Sequence, residues 1–256
     1  MADGFLFELY HENSKLSLWD WEQFAQIEYV NTATAAARLA DAPAVDIGCL
    51  EQIWLPRPSL PTMTLERALG RRRSAQRLGG GAVDLDQLGT VLHFSMGLNG
   101  ALAGQDGVPA KALRFSPSPG GLYPLTALVE ARRVTGLAAG VYAYDPGPHA
   151  LGRLDADLDA LARATTQGPS AIDPAMNLWL FCRFDRLSFK YGERSYRFAL
   201  LEAGHVAQNA LLVCATLELP ARPFAGFLDD LATRAIDLSG LELVPLYFVG
   251  IAGAGA

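Results

Sequence analysis

The chain is poor in the residues that build metal sites and disulfide frameworks. Its three cysteines, Cys49, Cys182 and Cys214, are an odd number, and none stands in CxxC spacing. That excludes a disulfide-stapled scaffold and a zinc ribbon. Cys182 and Cys214 sit in the apolar runs LWLFC and LLVC, where a thiol serves as a small buried hydrophobe. The four histidines, His11, His93, His149 and His205, lack ligand spacing and have no cysteine or carboxylate cluster beside them, so no metal is expected. No GxGxxG turn is present to receive a dinucleotide. Positive charge is scarce too. With 21 Lys and Arg against 27 Asp and Glu, the net charge is -6, which argues against nucleic acid or an anionic membrane as partner. Neither a basic-then-apolar leader nor an apolar run of membrane-spanning length is expected, so the chain reads as cytoplasmic. It has no internal repeat and no Ser/Gly/Pro linker, which favours one large domain over two small ones.

What the chain does have is apolar bulk. Half of its 256 residues are hydrophobic, enough for an α+β domain with a substantial core. Residues 16–39 carry aromatic and aliphatic residues at helical spacing, including Trp19, Phe24 and Ile27, followed by an Ala-rich stretch. PRPSLP (56–61) is extended, because each proline removes a donor and restrains its predecessor. It is expected to wrap over the domain or a partner subunit. Thr64 and Asp84 then cap two helices, the second with Leu85, Leu88, Val91 and Leu92 on one face. LTALVEARRV, GVYAYD and ALGRL, separated by Gly- and Pro-containing turns, read as an antiparallel meander over 125–154. A short helix over 157–164, an apolar strand over 177–184, the longest helical pattern over 193–219, a short helix over 228–235 and a strand over 244–251 complete the reading. Trp19, Trp21, Trp54 and Trp179 are read as packing or interface residues. The longest helix is apolar nearly all round. These elements point to an α+β sheet sandwich, its central sheet mostly antiparallel, with a buried long helix.

Three segments carry polar residues that a plain core or surface does not require. In RRRSAQR (71–77), the guanidinium groups and a hydroxyl suit a phosphate, or else form a solvated helix end favoured by the helix dipole. In RFSPSPGGLYP (114–124), three prolines and adjacent glycines fix an extended loop that can approach a planar ligand, with Ser118 as a donor. An ordinary turn feeding a strand would look the same. In FKYGERSYRFALLEAGHVAQN (189–209), winding at 100° per residue places Arg194, Phe198, Glu202, His205 and Asn209 on one side. Such groups need partners when buried, whether a ligand, a subunit or one another. Gly204 in mid-helix costs about 1 kcal/mol relative to Ala, which implies something packed closely against it.

In this order and spacing the segments resemble the SagB-type dehydrogenases, the azoline-dehydrogenase branch of the FMN-dependent nitroreductase superfamily. The resemblance runs from YHENSK (10–15) to PLYFVGIAG (245–253). It is strongest in PSPGGLYP, GVYAYDPGPHALGRL and KYGERSYRFALLEAGHVAQN. It implies a nitroreductase-like fold over residues 61–256 that binds FMN, and an N-terminal extension, 1–60, packed on the domain or a partner subunit. It also implies an intertwined or domain-swapped homodimer with the flavin at its interface. Carried over residue by residue, Arg72, Arg73 and Ser74 bind the FMN phosphate and ribityl. Gln76 belongs to the same set, standing where relatives commonly carry Arg or Lys. Pro117, Ser118, Gly120 and Gly121 lie along the isoalloxazine. Glu202, Gly204, Gln208 and Asn209 lie near the flavin or the subunit contact. Lys190 and Tyr191 match the pair tied to catalysis.

The implied chemistry is desaturation of a thiazoline or oxazoline to the azole on a peptide or carrier-bound substrate in natural-product biosynthesis. The flavin takes two electrons, Lys190 takes a proton and Tyr191 orients or relays it. A cyclodehydratase or peptide synthetase is the expected partner. Two alternatives stand beside this reading. One is an NAD(P)H-dependent nitro- or quinone reductase on the same fold. The other is a flavin-poor scaffold subunit of a biosynthetic complex, suggested by Gln76 and by GIAGAGA following the last strand without basic residues.

Overall fold

The computed structural model describes residues 6–15, 51–104, 110–165, 173–236 and 243–253. The helical pattern expected over 16–39, with Trp19, Trp21, Phe24 and Ile27, and also Cys49, lie outside them.

Helix α1 (Leu6–Asn13) is followed in the described chain by β1 (Gln52–Trp54) and α2 (Leu65–Arg71). The Thr64 hydroxyl accepts from the Arg67 amide at 3.3 Å and so starts α2. β2 (Val83–Asp84) runs into α3 (Leu85–Met96), which opens on a reciprocal capping box. There the Asp84 carboxylate accepts from the Gln87 amide at 2.7 Å, and the Gln87 side chain accepts from the Asp84 amide at 3.1 Å. A hairpin of β3 (Leu98–Leu102) and β4 (Lys111–Arg114) follows. Next come β5 (Leu125–Ala131), β6 (Val134–Thr135), β7 (Gly140–Asp145), β8 (Ala150–Leu154), α4 (Leu158–Ala164) and β9 (Met176–Arg183). α5 (Asp185–Tyr191) leads through a 3-10 turn (Gly192–Arg194) to α6 (Ser195–Thr216). β10 (Ala221–Phe224), α7 (Asp229–Ile236) and β11 (Leu243–Ile251) complete the described chain.

The expected meander, β5, β7 and β8, extends into one seven-stranded sheet ordered β1-β8-β7-β5-β9-β11-β10, every neighbouring pair antiparallel. Strands here are buried on both faces, and alternate side chains sort into two cores. Ala127, Val129, Leu178 and Leu180 pack with α3 and α6, whereas Leu128, Trp179, Phe181 and Phe248 pack with α4 and α7. Trp179 stacks on Phe248 with ring centres 4.4 Å apart, a contact typically worth about 0.5–1.5 kcal/mol beyond the area it buries. The buried carboxylate of Glu130 is fully partnered. It accepts from Asn177 at 2.9 Å, from the Trp179 indole at 2.8 Å and from Arg132. Cys182 and Cys214 are buried thiols, as expected, and burial pushes both upward in pKa. The α+β fold read from the sequence is the one observed.

Five local expectations are corrected. LTALVEARRV is not one strand, since β5 ends at Ala131 and β6 pairs separately, in parallel, with β2. The PSPGG loop is not extended throughout, because Pro119–Gly121 form a 3-10 turn. The long helix is covered on one side only. Glu202, Ala203, Val206 and Ala210 are buried, but Tyr196, Leu200 and Leu201 are exposed. Among the described residues nothing packs closely against Gly204, where an added Cβ would meet no atom outside its own helix backbone within 4 Å. Finally, the helical stretch Asp185–Thr216 is long and apolar enough by composition to cross a membrane, although half of its apolar window is buried against the sheet. PRPSLP does run over the domain. The Ser59 amide reaches the Thr90 hydroxyl at 3.2 Å, and the Pro56 carbonyl contacts His149 Nε2 at 3.2 Å.

Candidate functional site

The loop between β4 and β5 is tied down by a serine and a glutamate far apart in sequence. Ser118 Oγ donates to Glu202 Oε2 at 2.5 Å and accepts from the Tyr123 amide at 2.9 Å. The Tyr123 hydroxyl in turn accepts from the Arg114 amide at 3.0 Å, and the Arg114 guanidinium lies 4.8 Å from the Tyr123 ring centre. These contacts hold Gly120 and Gly121 at φ +59° and +61°, a left-handed turn that glycine adopts without strain. Burial of Glu202, which is 1% exposed, raises its carboxyl to about 7, against the opposing pull of the Ser118 hydrogen bond and the charges of Arg114 and Arg186.

The same glycines meet Lys190 and Tyr191. A Cβ on Gly120 would lie 2.6 Å from the Tyr191 hydroxyl and 3.1 Å from Lys190 Nζ. The pair reaches this place from the last turn of α5. Gly192, at φ +49°, stops the helix directly after it. Tyr191 is braced edge-on by Phe198 of α6 at 4.8 Å, and Lys190 Nζ lies 5.1 Å from the Tyr191 ring centre. Burial, followed by the charge of Lys111, lowers the pKa of Lys190.

One group at this cluster, Lys111, escaped the sequence reading. Lys111 of β4 donates to the Gly120 carbonyl, and burial lowers its pKa. Behind the loop, His93 and His149 lie edge-to-face at 5.4 Å, and His93 also meets Phe115 at 5.1 Å. A carbonyl can only accept, so His149 Nε2 carries the proton facing Pro56, and Nδ1 accepts from the Tyr144 hydroxyl at 2.9 Å. Burial lowers the pKa of both histidines. For His149 the charge of His93 adds to this, opposed by the Pro56 hydrogen bond. The two histidines are 56 positions apart, beyond the reach of spacing arguments, and their partners are protein groups. Among the described residues no group of three or more His, Cys, Asp and Glu is placed to hold a metal.

The remaining expected site residues lie elsewhere in the chain. Arg72, Arg73, Ser74 and Gln76 follow α2 on the surface, and Arg73 lines a cleft with Leu211, Ala215 and Glu218 near the far end of α6. Arg71 is committed to Glu218 at 2.8 Å. Glu202 and Ala215 are separated on one helix by about 20 Å at 1.5 Å per residue, so one chain does not join the arginine cluster to the glycine loop. Asn209 donates to the Ser95 carbonyl at 3.4 Å, which ties α6 to α3. Gly204, His205 and Gln208 lie on the uncovered face of α6, and Pro117 is exposed on the loop.

The N-terminal segment docks beside the site. The Ser14 carbonyl accepts from Arg194 at 2.7 Å, and the Ser14 hydroxyl accepts from Arg197 at 2.5 Å. Tyr10 meets Tyr196 edge-on at 5.6 Å. The YHENSK residues therefore clamp the start of α6.

Comparison with known proteins agrees with this fold. The family model described as the nitroreductase family matches residues 69–253. MJ1384 of Methanocaldococcus jannaschii, named as a nitroreductase, is 32% identical over 177 residues, covering 68% of this chain and 84% of that protein. McbC of Escherichia coli, a microcin B17-processing protein, is 32% identical over 145 residues, 54% of this chain and 53% of McbC. The match thus spans about half of that relative. A chain of the McbBCD microcin synthetase complex with truncated pro-MccB17 bound superposes with a TM-score of 0.58 at 22% identity, over 98% of this chain and 92% of that one. A protein of Ralstonia eutropha solved as a nitroreductase gives a TM-score of 0.66 at 26% identity, over 84% and 94% of the two chains.

Proposed function

The chain belongs to the nitroreductase family, oxidoreductases of the flavin-using type, and from that premise we propose that it is an FMN-dependent azoline dehydrogenase. It would act as a cytoplasmic homodimer and oxidise a thiazoline or oxazoline, on a peptide or carrier-bound substrate, to the azole. The observation that carries this reading is the meeting of Lys190 and Tyr191 with the glycine loop, which puts an amine and a phenol beside the surface expected to receive a planar ring. Likeness to McbC and to the McbBCD complex supports a peptide substrate and a synthetase partner.

The donor set fits FMN. Arg72, Arg73 and Ser74 offer charge-assisted and neutral donors for one terminal phosphate, and the described residues leave the space beside Gly204 open. Exposed Tyr196, Leu200 and Leu201 on the same helix fit burial by a second copy. That copy would supply the arginine cluster one chain keeps apart from its own loop.

When bound, FMN supplies the two-electron acceptor. The chain's own groups handle orientation and protons. Burial and a neighbouring cation enlarge the neutral, proton-accepting fraction of Lys190. The Tyr191 side chain, braced edge-on by Phe198, has its hydroxyl placed to orient or relay that proton. Ser118 and Glu202 keep the loop in register beneath both.

A reductase using NAD(P)H on a nitro compound or quinone is the second reading. It is favoured by MJ1384, of which the chain covers the larger share. Denaturing the purified protein and chromatographing the released flavin tests the common part. FMN is expected, and a colourless protein that takes up no added FMN contradicts both readings. Arg72→Ala is expected to weaken FMN retention by about 1.5–3 kcal/mol, as for a lost charged hydrogen bond. Oxygen uptake driven by substrate without nicotinamide supports the dehydrogenase, and NAD(P)H consumption with a nitroaromatic supports the reductase.

A further inference from the structure

Lys111 stands at the same glycine pair as Lys190 but arrives on a different element. Its ammonium, from β4, donates to the Gly120 carbonyl. A Cβ on Gly121 would lie 2.5 Å from its Nζ and 2.6 Å from its Cε. Lys190 Nζ, from α5, lies 3.1 Å from the corresponding position on Gly120. Two long cationic side chains therefore converge on two adjacent backbone residues.

The charged and titratable groups around them have other partners. On the loop and β4, Arg114 lies over the Tyr123 ring at 4.8 Å. On α5, Arg186 donates to the Leu122 carbonyl at 3.1 Å, and Tyr191 presents its ring to Lys190. Glu202 of α6 is held by Ser118, and Arg194 lies 5.5 Å from the Phe198 ring centre. Among the described residues no ion pair joins Lys111 to a carboxylate. Two like charges this close disfavour the second ammonium, and the partners decide which lysine yields. Lys111 donates to the Gly120 carbonyl, which favours its charged form, and its charge bears on Lys190.

We propose that Lys111 is a positioning residue for Lys190: anchored on the Gly120 carbonyl, it fixes a positive charge beside the Lys190 amine that favours the amine's neutral, proton-accepting form. The role in catalysis rests on the reading of Lys190 as the base. Burial lowers both lysines, and the charge of Lys111 acts on Lys190 in addition. A lysine beside a second cation is a recognised way to obtain a reactive amine near neutral pH.

The test reads Lys190 directly, apart from turnover. The full chain is pulse-labelled with acetic anhydride across a pH series, and Lys190 acetylation is followed by peptide mass spectrometry with exposed Lys15 as internal reference. In Lys111→Gln, which keeps a donor but loses the charge, Lys190 labelling at neutral pH falls about threefold to tenfold, as expected when a neighbouring cation is removed. Lys111→Arg, which keeps charge and donor, stays close to the parental rate. In the unmutated protein, added salt screens the pair and slows Lys190 labelling relative to Lys15. Unchanged labelling in Lys111→Gln overturns the proposal, and so does an equal loss in Lys111→Arg. In the flavin-loaded enzyme the acid limb of the pH–rate profile moves to higher pH in Lys111→Gln and stays in place in Lys111→Arg. If Lys190→Ala turns over normally, the base reading fails even where the labelling shift holds.

Discussion

A buried carboxyl near neutrality makes Glu202 the most testable single residue. Its carboxyl titrates at about 7 against an ordinary 4.5, because burial outweighs the Ser118 hydrogen bond and two arginine charges. A carboxyl whose pKa rises on folding binds its proton more tightly in the native state. Its contribution to stability is therefore complete below the unfolded value and is lost as pH climbs through the folded one. The span corresponds to about 3 kcal/mol. Glu202→Gln, which mimics the protonated form, is expected to flatten the fall in unfolding free energy between these two pH values, measured by denaturant titration at each pH. Parallel curves for the two proteins would show that Glu202 is not the titrating group. Gly120→Ala probes the neighbouring contact. Its Cβ would strike the Tyr191 hydroxyl at 2.6 Å in a backbone conformation that alanine resists. Turnover is expected to fall at least about tenfold, the cost of misplacing a reacting group, while the circular dichroism spectrum is retained. Parental turnover would remove the loop from the site.

At the scale of elements, the uncovered face of α6 carries the strongest expectation. Leu201 is 54% exposed beside Leu200 and Tyr196, a pattern that a second subunit would bury. Leu201→Glu is expected to shift sedimentation from dimer to monomer at micromolar concentration, because a carboxylate in that contact has no partner. A Leu201→Glu dimer as stable as the parental one would place the interface elsewhere. This helix also marks where the sequence was legible and where it was not. Its length and its polar stripe followed from periodicity, but the stripe turned out to divide. Glu202 turns into the core, Asn209 ties to Ser95 and His205 faces outward, because 100° winding cannot say which neighbour lies where. The hairpin β3–β4 and helix α5 went unread. Gly192 after Tyr191 is the local cue for the end of α5, a helix stop that periodicity does not register.

Across the whole molecule, the sheet and its capped helices were legible because apolar runs bounded by Gly- and Pro-containing turns, and the caps Thr64 and Asp84, act locally. The site was legible only in part, because its geometry depends on which surfaces the fold brings together. Ser118, Gly120, Glu202, Lys190 and Tyr191 do meet. Arg72, Arg73 and Ser74 stay at the far end of α6, and Lys111 was invisible until β4 placed it. The account therefore stands on a division of labour, with cofactor retention at the arginine cluster and proton handling at the glycine loop. Its most direct test is an anaerobic single turnover of the FMN-loaded dimer with an azoline-bearing peptide and no nicotinamide, followed by absorbance of the flavin. The account predicts that the yellow absorbance bleaches as azole forms, and that in Lys190→Ala, with FMN still bound, bleaching slows by about 10²–10⁴-fold, the usual contribution of a general base. Flavin that stays yellow with the azoline but bleaches at once with NAD(P)H would contradict it.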